Sequence, residues 1–172
     1  KRQLQIPNAK DIAIEFHSLS KTYNMAGWRI GFVVGNSLGI KGLSQVKSNI
    51  DSGVFEAVQK AAIAAFSTAE KDLEDLVTLY QRRRDILVKG LQSLGYPIKP
   101  NLASLYVWVP IPQNYPSQEF APFLLKKCGI TVLPGNAYGA SGEGFIRMAL
   151  TVEEKRICQA LQRMKNAGIN YI

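Results

Sequence analysis

His17-Ser18-Leu19-Ser20-Lys21-Thr22-Tyr23-Asn24-Met25-Ala26-Gly27-Trp28-Arg29-Ile30-Gly31-Phe32 lies between and into two β-forming runs. Upstream, residues 11–17 (DIAIEFH) alternate in character and are rich in β-formers. Downstream, residues 29–34 (RIGFVV) form a second such run, ended by Gly35-Asn36. Two apolar strands joined by a polar, glycine-containing loop predict a sheet buried on both faces, as in α/β proteins. The loop brings Ser18, Lys21 and Arg29 to the strand ends.

Those three side chains form a chemical set. A lysine at the end of a buried strand is costly to hide unless it has a chemical task. Lysine condenses with carbonyls, and burial lowers its pKa so that it can attack. Ser18 adds a hydroxyl, and the Arg29 guanidinium matches phosphate bidentately. A carbonyl-condensing lysine beside a phosphate site points to pyridoxal phosphate. Spacing alone leaves a second reading open, in which Lys21 simply reaches solvent and Arg29 sits in a surface ion pair.

Outward from the loop, residues 38–47 suit a short helix. Residues 52–66 suit an alanine-rich helix that is apolar nearly all round and therefore buried. The longest element is residues 69–94, where Leu73, Leu76, Val77, Tyr80, Leu87, Leu91 and Leu94 recur at helical spacing and Gly95 supplies the stop. At 1.5 Å per residue it spans roughly 39 Å, long enough to join two domains. Beyond it lie a strand at 104–109 and a helix at 117–127. A short strand at 130–133 and a turn-rich stretch at 134–144 follow. A strand at 145–150 leads to a last helix opened by a capping box, Thr151-Val152-Glu153-Glu154. The division expected is 1–68, part of an α/β domain, and 69–172, a long helix with a small α+β domain.

Composition narrows the classes. The chain has 172 residues, 47% hydrophobic and 20% charged, which is globular. No run approaches the roughly 20 apolar residues of a membrane-spanning helix, so no membrane partner is expected. Two cysteines, Cys128 and Cys158, lack metal spacing and suit a pair of small buried thiols in a reducing cytoplasm. With His17 the single histidine, no metal site is expected. The net charge of +8 is scattered, and its one run, Arg82-Arg83-Arg84, sits in the long helix as a solvated face. Without a basic stripe or exposed aromatics interleaved with it, no nucleic-acid partner is expected.

The full loop string closely resembles the lysine segment of class I/II aminotransferases, the pyridoxal-phosphate-dependent fold type I. A second segment, Pro134-Gly135-Asn136-Ala137-Tyr138-Gly139-Ala140-Ser141-Gly142-Glu143-Gly144-Phe145-Ile146-Arg147-Met148-Ala149-Leu150, resembles the C-terminal stretch of the same family. Ser48-Asn49-Ile50-Asp51-Ser52-Gly53, followed by Gln59, is most similar to the LL-diaminopimelate aminotransferase branch and its close relatives.

The resemblance implies the C-terminal portion of a fold type I enzyme. Residues 1–68 would be the remnant of the large cofactor domain, and 69–172 the interdomain helix and small domain. Lys21 would bond the cofactor and move a proton at the substrate Cα. Ser18 and Arg29, with help from Ser20, would hold the cofactor phosphate, and Arg147 would bind the substrate α-carboxylate. Tyr23, Asn24 and Trp28 would shape the loop, and Tyr106 would either lie near the substrate or, more simply, serve core or interface. The implied activity is amino-group transfer between an L-amino acid and a 2-oxo acid, by a cytoplasmic homodimer. The alternatives are another fold type I reaction, such as a lyase or synthase, and a non-catalytic interaction domain.

The family's acidic partner for the cofactor ring nitrogen has no match in these residues. The 172 residues alone are therefore expected to be inactive. Residues 1–68 are expected to expose a sheet edge or apolar surface.

Overall fold

A computed structural model describes residues 3–113 and 115–171. The chain packs as two units, one reaching Glu74 and one starting at Asp75.

In the first unit, β1 (Ile14–Ser18) pairs antiparallel with β2 (Gly31–Gly35), so that Ile14 faces Gly35 and Ser18 faces Gly31. A one-turn helix, α1 (Leu19–Thr22), follows β1 directly. Helices α2 (Ser37–Ser48) and α3 (Glu56–Phe66) follow β2. The core of this unit is small. Leu19, Met25 and Ala62 are buried, with Tyr23, Ile30, Ala61 and Ala65 packed against them.

The expected burial of both sheet faces is not met in this chain. No residue of β1 or β2 is fully buried, and Phe16 is 68% exposed. Helix α3 buries only Ala62, while Ile63 is 66% exposed. The physical reason is the size of the sheet. Among the described residues no third strand joins β1 and β2, and a two-stranded ribbon has too little neighbouring structure to cover both faces.

Helix α4 (Glu70–Ser93) carries the chain into the second unit. Gly95, at φ 84°, follows it in the left-handed region, as the stop signal requires. Next come β3 (Tyr106–Pro110), α5 (Ser117–Cys128), the two-residue β4 (Leu133–Pro134), β5 (Phe145–Ala149) and α6 (Glu154–Asn166). The sheet has the order β3-β5-β4, all antiparallel. Alternate residues point to opposite faces. Val107, Val109, Ile146 and Met148 are therefore buried against Leu87, Val88, Leu91, Leu124, Ile157 and Met164. The other face presents Trp108 and Leu133 opposite the central-strand Arg147.

Four local expectations change. The strand expected at 130–133 begins only at Leu133, because Gly129 closes α5 at φ 60° and Ile130 drops into the core. The Thr151 capping box does not form: the N-cap is Glu153, without a side-chain bond, and Glu154 instead pairs with Arg82. Cys128 is buried but Cys158 is exposed, and both are free thiols. The basic run on α4 is not simply a solvated face. Arg83 donates to the Leu150 carbonyl at 3.1 Å and Arg84 to the Asn101 carbonyl at 2.8 Å. These cations tie α4 to the chain before β3 and after β5, which accounts for their clustering without a nucleic acid.

Candidate active site

Two constellations carry the sequence-derived residues, one in each unit.

The first lies at the loop end of the β1–β2 hairpin, where Ser18 pairs with Gly31. Ser18 is the last residue of β1 and also the N-cap of α1, its Oγ accepting from the Ser20 N–H at 3.2 Å. Lys21 stands one turn on, in the same short helix, and is exposed. The burial expected of this lysine is therefore absent in this chain, for the same reason that the strands are open. On the returning side, the Leu19 N–H donates to the Ile30 carbonyl at 3.2 Å. That bond places the start of α1 against the residue following Arg29. The register Ser18–Gly31 then sets the two strand ends side by side. Ser18, Ser20, Lys21 and Arg29 are thus gathered at one hairpin end by backbone pairing.

Local backbone detail is built around this end. Arg29 adopts φ 50°, and Asn24 φ 54°. A left-handed arginine is uncommon and costs of order 1–3 kcal/mol. Its Nη1 donates to the Ala26 carbonyl at 2.9 Å, closing the turn that holds it. Gly31 is required by close approach: a Cβ there would run into the His17 carbonyl oxygen. His17 stacks flat on its cross-strand partner Phe32, at 4.8 Å and 10°, and its Nε2 lies 2.6 Å from the Glu15 carboxylate.

The second constellation is on the outer face of the three-stranded sheet. Arg147, half-buried on β5, has its guanidinium carbon 4.0 Å from the Tyr106 ring centroid and 4.3 Å from that of Tyr138. Trp108 meets Tyr138 and Phe145 edge-on, at 5.6 and 6.4 Å. With Ser141 and Gly142 these three rings line a cleft of about 280 Å³. Among the described residues no carboxylate pairs with Arg147.

Tyr138 is delivered by a 3-10 turn, Gly135–Tyr138, held from two sides. Gly135 and Gly142 approach so closely that a Cβ on either would strike the other's carbonyl oxygen. The Ser117 side chain, fully buried at the start of α5, donates through Oγ to Glu143 at 2.8 Å and accepts from the Asn136 N–H at 3.4 Å. The Ser117 N–H also donates to Glu143, at 2.7 Å. These bonds, with one from the Gly144 N–H, hold the Glu143 carboxyl below the usual carboxylate range.

Sequence reasoning missed the partnership of Tyr106 and Tyr138 with Arg147, and the Ser117–Glu143 fastening. Strand alternation carried a signal for the first, since Tyr106 lies two residues from Trp108, the cross-strand partner of Arg147, and so on the same face. Tyr138 sits in irregular backbone, where no periodicity could reveal its direction.

The family model described as aminotransferase class I and II matches residues 5–164. LL-diaminopimelate aminotransferase 2 of Nostoc sp. is 67% identical over 168 residues, covering 98% of this chain and 43% of that protein. LL-diaminopimelate aminotransferase of Gloeobacter violaceus is 58% identical over 169 residues, with the same shares. Among solved structures, substrate-bound BacF from Bacillus subtilis superposes with a TM-score of 0.93 at 29% identity, over 98% of this chain and 43% of that one. LL-diaminopimelate aminotransferase from Chlamydomonas reinhardtii gives a TM-score of 0.81 at 27% identity, over 95% and 42%. The chain thus spans about 43% of the length of the curated relatives quoted.

Proposed function

The chain belongs to the class I and II aminotransferases, and from that premise we propose that it is the C-terminal part of a pyridoxal-phosphate-dependent enzyme that moves an amino group between an L-amino acid and a 2-oxo acid. The observation that carries the reading is the hairpin end, where backbone pairing gathers a primary amine, two hydroxyls and a guanidinium.

That donor set suits pyridoxal phosphate. Lys21 offers the amine for its aldehyde, and Ser18, Ser20 and Arg29 offer donors for its phosphate. The Ser18 Oγ accepts from the Ser20 N–H, so its own proton is available to an anion. When bound, the cofactor supplies an electron-withdrawing ring that stabilises negative charge at the substrate Cα. Lys21 is the catalytic residue and serves as the acid–base group that carries the proton to and from that carbon. Arg147 binds the α-carboxylate through two parallel N–H donors and so fixes the direction of the amino acid.

The amino acid we propose is LL-diaminopimelate, supported by the names of relatives at 67% and 58% identity. The working form is a cytoplasmic homodimer, a reading supported by the family resemblance and, for the compartment, by two free thiols. Among the described residues no helix is long and apolar enough to cross a membrane.

The test is a substrate panel on a protein of the relatives' length carrying this chain, with Lys21→Ala as control. Transfer from LL-diaminopimelate to 2-oxoglutarate, lost by about 10²- to 10⁴-fold in the control, is the expected result. Equal turnover in the control would overturn it.

A further inference from the structure

We propose that Tyr106 and Tyr138 are positioning residues that aim the Arg147 guanidinium at its ligand, and that Glu143 and Ser117 hold Tyr138 in place. The proposal rests on the reading of Arg147 as the carboxylate-binding group.

The argument starts from what a lone arginine on a sheet face does. Its side chain has four rotatable bonds and normally spreads into water. Arg147 is instead half-buried against two phenol rings whose centroids lie 4.0 and 4.3 Å from its guanidinium carbon. Attraction between the cation and the ring faces opposes its escape to solvent. The rings hold the cation without supplying a carboxylate to its N–H donors, which leaves a ligand as the charged partner for them. A carboxylate binds such donors in the guanidinium plane. The rings carry no negative charge of their own, whereas a carboxylate neighbour would compete with substrate. Among the described residues no such neighbour pairs with Arg147.

The two rings come from different elements. Tyr106 opens β3, and its place follows from sheet register. Tyr138 comes from the 3-10 turn after β4 and depends on how that turn is fastened. The fastening is the buried Ser117 side chain, bonded to Glu143 beyond the turn and to Asn136 within it. A path of direct contacts therefore runs from the start of α5 to the arginine. Tyr138 is 47% exposed, so filling the core does not account for a ring at this position.

The test uses the longer protein carrying this chain, with steady-state kinetics for the amino acid. Tyr106→Leu and Tyr138→Leu are expected to raise KM about 3- to 30-fold while kcat stays within about twofold. Tyr138→Phe keeps the ring and is expected to recover most of the KM loss. An independent readout is the Nε–H resonance of Arg147 in the longer protein. Ring currents are expected to move it upfield in the parent, and each Leu variant is expected to return it towards the free-arginine position. Unchanged KM in both Leu variants, alongside a large KM rise in Arg147→Lys, overturns the positioning role while sparing Arg147. Unchanged KM in Arg147→Lys itself overturns the reading of Arg147 on which the proposal rests.

Discussion

Ser117 gives both its backbone N–H and its hydroxyl to the Glu143 carboxylate, at 2.7 and 2.8 Å, and so binds the start of α5 to the turn before β5. This carboxylate holds its charge to lower pH than an ordinary one. Its stabilising effect is full above the unfolded value near 4.5 and is lost as pH falls through the lower folded value. Glu143→Gln should therefore melt below the parent at pH 7. The gap should close as the pH is taken well below 4.5, because the parent then also carries an uncharged group. Thermal melts of both proteins at pH 7 and pH 3 check this.

Tyr96 provides the alkaline counterpart. It is buried, and burial, with Cys128 alongside, pushes its phenol up to about 12. A group whose folded pKa is raised contributes stability that is present below the unfolded value, near 10, and lost as pH rises through the folded one. Its hydroxyl has no hydrogen-bond partner among the described residues. Tyr96→Phe should be neutral or stabilising by about 1 kcal/mol at pH 8. It should also lose less stability than the parent between pH 10 and 12, as read from urea unfolding at each pH.

Gly31 tests the hairpin end. A Cβ there meets the His17 carbonyl oxygen, which is backbone and cannot rotate aside. Gly31→Ala should cost about 1–3 kcal/mol through strand displacement. It should also weaken pyridoxal-phosphate binding, since the Ser18–Gly31 register is what sets the two strand ends together. Urea unfolding and a cofactor titration separate the two effects.

Much of this was legible because backbone chemistry punctuates the chain. Gly95 stands just past α4, as the stop signal predicts, and β3 and β5 overlap the strands expected at 104–109 and 145–150. The lysine loop and the Arg147 strand were legible as long, specific strings. Burial in the first unit was not. Apolar strands and an alanine-rich α3 predict a covered sheet, but burial depends on neighbours that a local pattern does not contain. The Thr151 capping box does not form: α6 starts only at Glu154, which pairs with the distant Arg82 rather than reaching back to the helix start. Tyr138 was hidden for a similar reason, its direction being set by Gly142 and Ser117, distant elements rather than a repeat.

The open first unit bears on activity. The 172-residue chain by itself should turn over no pair of amino acid and 2-oxoglutarate, since no acidic partner for the cofactor ring nitrogen is recognisable in it. With Phe16, Ile63 and Phe55 exposed, it should also bind a hydrophobic dye at pH 7. Steady transamination by the purified chain would contradict the first expectation, and no dye fluorescence the second.

The central claim is that Lys21 is the catalytic lysine. The most direct measurement is borohydride reduction of the longer protein with pyridoxal phosphate, followed by mass mapping of its peptides. The account predicts one stable cofactor adduct, on Lys21, absent in Lys21→Ala. An adduct on another lysine, or undiminished labelling in Lys21→Ala, would contradict it.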